Sequence, residues 1–156
     1  MILSAPAARI RGWLGYWSNA VFYAGVELST LSVPAFVPAL FAQNVYPDAV
    51  PLAGLSAIVV GTLALALFRS RRIDVGSWPR RGEFSSLPFR VLYFSTVFVI
   101  ATLGVAFVAV STFETGMSFL VAMVAGGIVE AVGLAAFPRA YRALFGAPPS
   151  TAAERM

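Results

Sequence analysis

Four long apolar runs alternate with short polar segments along the chain. The runs cover residues 17–41, 49–68, 88–112 and 117–137. Crossing the roughly 30 Å hydrocarbon core of a bilayer takes about 20 apolar residues. Each run is long enough, so the pattern predicts an all-α integral membrane bundle of four spanning helices. The predicted organisation is an N-terminal cytoplasmic or interfacial segment (1–16), a transmembrane domain (17–137) and a cytoplasmic tail (138–156).

Two prolines interrupt the outer half of the first run, in the sequence VPAFVP. Pro34 and Pro38 each lack a backbone N–H, and their rings clash with the preceding helical turn. We therefore expect the first span to kink near its outer end, as spanning helices tolerate when neighbouring groups satisfy the freed carbonyls.

Composition supports the membrane prediction. Hydrophobic residues make up 59% of the chain and charged residues only 12%, whereas soluble domains average about 45–50% and 25%. The mean hydropathy is +0.82. The net charge of +4 does not predict a nucleic-acid partner, because the basic residues lie at the ends of apolar runs and not along one soluble face.

The positions of the arginines predict the orientation in the membrane. The connections 42–48 and 113–116 contain no basic residue. All basic residues lie instead before the first run, around the connection between the second and third runs, or after the fourth: Arg9, Arg11, Arg69, Arg71, Arg72, Arg80, Arg81, Arg90, Arg139, Arg142 and Arg155. By the positive-inside rule, both termini are cytoplasmic in a multi-pass protein of the cell membrane.

The absent residue types exclude several kinds of chemistry. The chain has no cysteine and no histidine, and every basic side chain is an arginine. Thiolate chemistry, imidazole general bases and lysine Schiff bases are therefore excluded. Two intramembrane carboxylates are too few for an oxygen-ligated metal site. We predict no catalytic residue, metal or cofactor.

Two glutamates within the apolar runs are the candidate ion- or proton-binding residues. With a rise of about 1.5 Å per residue, Glu27 and Glu130 both fall near the middle of their predicted spans. Asn19, Tyr23 and Thr30 share the helical face of Glu27, and small residues share the face of Glu130. Intramembrane carboxylates often mark functional sites. We therefore expect the two faces to point inward and the first and fourth spans to be neighbours.

Five arginines in the connection between the second and third runs are candidates for binding anionic lipid headgroups. They are Arg69, Arg71, Arg72, Arg80 and Arg81. The connection also contains glycine, serine and proline, so no stable helix is expected there.

Three functions are compatible with these features. The first is an accessory or scaffold subunit whose polar faces serve helix association. The second is a proton- or cation-coupled transporter or channel that uses Glu27 and Glu130. The third is a membrane enzyme acting on an apolar or lipid substrate, although the missing residue types leave it few catalytic groups. The expected partners are the lipid bilayer and further copies of the chain or a larger membrane complex.

Overall fold

The computed structural model describes residues 4–79, 83–113 and 115–146, and within these residues every regular element is helical. The third apolar run forms one helix with a π-helical segment at its centre, Ile100–Gly104. The helices are α1 (Ser4–Leu31), α2 (Val33–Ala42), α3 (Ala49–Arg69), α4 (Leu87–Val99), α5 (Val105–Thr112) and α6 (Thr115–Phe145).

Several of these helices are long and apolar enough to span a membrane, as the sequence predicts. Among the described residues they are Ala49–Arg69, Leu87–Thr112 and Gly116–Phe145. The first apolar run differs, because α1 and α2 meet at an angle of 68° and form a fourth candidate span only when they are taken together. The expected kink is therefore present. It lies at Ser32, where the helix ends before Pro34, whose nitrogen has no hydrogen to donate to the preceding turn.

The central helix is α3, which packs most extensively along α6 and next along α1. Glycines of α6 allow this close approach. A Cβ atom at Gly126 would lie 2.8 Å from the carbonyl oxygen of Ala53 and 3.0 Å from that of Ala101. The first and fourth spans were expected to pack directly on each other, but α1 packs mainly along α3. The first span meets the fourth through side chains, such as those of Leu28 and Leu134 in one apolar cluster.

The end of the bundle where α3 finishes and α4 begins is called here the arginine end. Residues 70–79 contain no helix, as expected, yet they fold back onto this end. The Trp78 ring stacks on Phe137 with centroids 5.0 Å apart, and it faces Phe68 at 6.5 Å. Pro79 is fully buried. The connection is therefore part of the core, which its polar composition did not predict.

The last helix is longer than the fourth apolar run. It continues through Pro138 to Phe145, whereas the run was expected to end at residue 137. Tyr141 and Phe145 stack on each other with centroids 5.0 Å apart. Burial of the Tyr141 ring against the aromatic cluster at the arginine end stabilises these additional turns.

Candidate functional site

Glu27 binds two arginines at the arginine end. Arg69 is the last residue of α3, and Arg90 lies in the first turn of α4. The Nη2 atom of each arginine donates a hydrogen bond to the Oε1 atom of Glu27. The side chains are 10% exposed for Glu27, 8% for Arg69 and 6% for Arg90. One buried carboxylate therefore joins three helices, and we call this cluster the Glu27 triad.

Helix geometry explains why Glu27 reaches these partners. Side chains on a helix lean toward its N-terminus, and the N-terminus of α1 is on the side of the arginine end. The arginines are available there because the ends of apolar runs are where charged side chains are tolerated. Glu27 was expected near the middle of its span. The structure shows its carboxylate bound to a terminal residue of α3 and to one in the first turn of α4.

The connection after α3 holds Arg69 in place. Its Nη1 atom donates a hydrogen bond of 2.9 Å to the carbonyl oxygen of Pro79. Its Cζ atom lies 4.9 Å from the centroid of the Trp78 ring, within the range of a cation–π contact. Sequence reasoning missed both residues. The available signal was a tryptophan followed by proline within an otherwise polar segment.

Three other residues were expected to share an inward face with Glu27. All three are exposed: Asn19, Tyr23 and Thr30. Asn19 and Tyr23 line an open cleft of about 450 Å³ between α1 and the end of α3. Thr30 lines a different pocket of about 220 Å³ together with Glu27 and Arg90. We call the larger space the α1–α3 cleft. Its lining includes Tyr16, Asn19, Ala20, Tyr23, Arg69 and Ser70.

Glu130 is enclosed in the bundle with 0% exposure. Neither of its carboxyl oxygens has a hydrogen-bond partner among the described residues. Its side chain packs on α3, where a Cβ atom at Gly61 would lie 2.7 Å from Glu130 Cγ and 2.9 Å from Leu28 Cδ2. The Tyr93 hydroxyl donates to the Gly133 carbonyl oxygen at 2.8 Å.

The two glutamates are therefore in different environments. Glu27 is held by charged partners beside open clefts, whereas Glu130 is surrounded by packed apolar groups. In the part of the chain that the structure describes, no hydrogen bond joins them and they line no common cleft. The same described residues contain no cluster of acidic side chains that could hold a metal ion.

The remaining candidate arginines lie beyond α3. Arg71 is exposed and takes a left-handed φ of 55°, which turns the chain after the helix. Arg72 is also exposed, and its Cζ atom lies 5.8 Å from the centroid of the Trp17 ring. Arg80 and Arg81 lie outside the described residues.

Comparison with known proteins identifies a family. The family model DUF8215, a domain of unknown function, matches residues 12–144, and the chain belongs to this family. No curated protein and no solved structure matches the chain.

Proposed function

We propose that this DUF8215 protein is a four-span integral protein of the cell membrane, with both termini in the cytoplasm, that serves as a non-catalytic accessory or scaffold subunit. The four-span topology counts α1 and α2 as one broken span. The absence of arginine from 42–48 and 113–116 supports this orientation. The proposed domains are the segment 1–16, the transmembrane domain 17–137 and the tail 138–156.

The observation that carries the scaffold role is the Glu27 triad. A transported cation would have to displace two arginines from one carboxylate, each held by a charge-assisted hydrogen bond. Cations are also repelled by the two guanidinium groups themselves. The triad therefore favours helix association over ion binding, because one residue of α1 fixes the ends of both α3 and α4.

The isolation of the protein in its native assembly tests this role. Chemical crosslinking in native membranes, followed by purification in mild detergent, should give a defined homo-oligomer or a complex with another membrane protein. Proteoliposomes of the purified chain with a pH-sensitive dye inside should keep an imposed proton gradient. A monomer in native membranes that also dissipates the gradient would contradict the scaffold role.

Glu130 supports a second candidate, proton-coupled transport. Burying an unpaired carboxylate is costly, so a fully buried carboxyl without a hydrogen-bond partner is expected to carry a proton. Intramembrane carboxyls of this kind serve as proton relays in transporters. Proton flux that is lost in Glu130→Gln and kept in Glu27→Gln would establish transport. Equal flux in the wild type and Glu130→Gln would exclude Glu130 from it.

A further inference from the structure

The α1–α3 cleft has the size and chemistry of a ligand site. Its volume of about 450 Å³ lies within the range of roughly 300–1,000 Å³ found for small-molecule sites. The Asn19 amide, the Tyr16 hydroxyl and the Arg69 guanidinium provide polar atoms, and the Ala20 methyl group provides an apolar patch. The cleft opens where α3 ends, beside the Glu27 triad.

The charges around the cleft favour an anion. Neither Glu27 nor Glu83 is among its lining residues, and both line the smaller pocket. Ser70 lines the cleft, and the next two residues in the chain, Arg71 and Arg72, are exposed. The indole N–H of Trp17, beneath Arg72, is a buried donor without a hydrogen-bond partner among the described residues. Positive charge and hydrogen-bond donors are therefore concentrated on this side of the bundle.

We propose that the α1–α3 cleft binds the phosphate-bearing headgroup of an anionic glycerophospholipid. The site rests on the membrane orientation proposed above, which puts the cleft at the cytoplasmic headgroup level. Basic pockets between spanning helices on that side are typical headgroup sites. The Asn19 amide and the Tyr16 hydroxyl donate to phosphate oxygens. Arg69 remains bound to Glu27 and attracts the phosphate through its charge.

The cleft also has apolar surface, and for this reason we expect a lipid as its ligand and not free phosphate. The Ala20 methyl and the Tyr16 ring border the polar groups, so that the glycerol and the first acyl carbons have apolar surface to cover. Inorganic phosphate has nothing to place there. Ligand sites in proteins combine a mostly apolar lining with a few polar groups in this way.

Native mass spectrometry of the full chain in detergent tests the proposal. The probes are phosphatidylglycerol, phosphatidylcholine with the same acyl chains, and inorganic phosphate. Phosphatidylglycerol should bind saturably and about tenfold more tightly than phosphatidylcholine, a difference of about 1.4 kcal/mol. Inorganic phosphate should not displace it.

Two variants change the cleft and leave all three residues of the triad in place. Asn19→Ala removes a donor to a charged group and should weaken phosphatidylglycerol binding by roughly tenfold. Ala20→Phe fills the cleft without changing any charge and should abolish saturable binding. Asn44→Ala changes an exposed asparagine in the turn after α2 and should bind as the wild type does. Circular dichroism checks that all three variants keep the wild-type helix content.

Three results would overturn the lipid site. They are equal binding of phosphatidylcholine, wild-type affinity in folded Ala20→Phe, or displacement of the lipid by inorganic phosphate, which would identify a free-phosphate site. The measurement is made in detergent and depends neither on oligomeric state nor on proton flux. Failure of the lipid site therefore leaves the scaffold role standing, and failure of the scaffold role does not alter the lipid result.

Discussion

Replacement of Glu27 should destabilise the protein more than replacement of Arg90, one of the two arginines that bind it. In Glu27→Leu, both guanidinium groups lose their carboxylate while their side chains stay more than nine-tenths buried. In Arg90→Gln, the carboxylate keeps Arg69, and Arg69 keeps the Pro79 carbonyl oxygen. The structure thus predicts an asymmetry within the triad.

The magnitude follows from what each variant leaves unpaired. Removing one partner of a buried ion pair destabilises proteins by about 3–5 kcal/mol, and we expect Glu27→Leu to lie in this range. Glu27→Gln keeps a neutral acceptor for both arginines and loses only the charge, so its effect should be roughly 1.5–3 kcal/mol. Arg90→Gln should have an effect no larger than Glu27→Gln.

Equilibrium unfolding of the purified chain in detergent, followed by circular dichroism, measures these differences. Asp48→Asn is the control, because Asp48 is an exposed carboxylate whose side chain makes no capping hydrogen bond. A double-mutant cycle between Glu27→Gln and Arg90→Gln should show coupling. Wild-type stability of Glu27→Leu, or a larger loss in Arg90→Gln than in Glu27→Leu, would refute the role of Glu27 as the shared partner.

Three further predictions concern topology and packing. Reporter fusions should give a cytoplasmic signal at Gly76 and an external signal at Asp48; a cytoplasmic signal at Asp48 would contradict the proposed orientation. Gly126→Ala should destabilise the fold by about 1–3 kcal/mol because its Cβ meets backbone oxygens. The control Gly116→Ala should be neutral, because its Cβ would have nothing within 4 Å. Equal stability of the two variants would show that α3 and α6 do not pack this closely. Trp78→Ala should lower the free energy of unfolding by roughly 3 kcal/mol, because the ring fills the space between Phe137 and Arg69. The same unfolding assay measures this. An unchanged free energy of unfolding would mean that the connection does not stabilise the arginine end.

The helical fold and its candidate spans could be predicted from sequence because they depend on local composition. A run of apolar residues long enough to cross a bilayer can satisfy its backbone only as a helix. The bend at Ser32 was predictable for the same reason, since Pro34 breaks the hydrogen-bond ladder within its own segment. The size of the bend and the length of α6 beyond Pro138 depend on contacts with other segments, and no pattern in the chain specifies them.

The partners of Glu27 were not predictable from its helical face. Periodicity indicates which residues share a face, and Asn19, Tyr23 and Thr30 do have the spacing of one helical face with Glu27. It does not indicate toward which neighbour the face turns, and all three proved to be exposed. The packing of α3 against α1 and α6 decides this, and it depends on close contacts such as that of Gly126 with the backbone of α3.

The arginines that orient a membrane protein and those that neutralise its buried acids can be the same residues. Arg69 and Arg90 lie at helix ends, where the positive-inside rule concentrates them, and their long side chains reach inward along the bundle. A glutamate within reach of such an end is therefore better interpreted first as an ion-pair partner and only then as a transport site. By this criterion Glu27 has a sufficient structural explanation. Glu130 has no such partner in the described part of the chain, so any proton chemistry of this protein should be sought there.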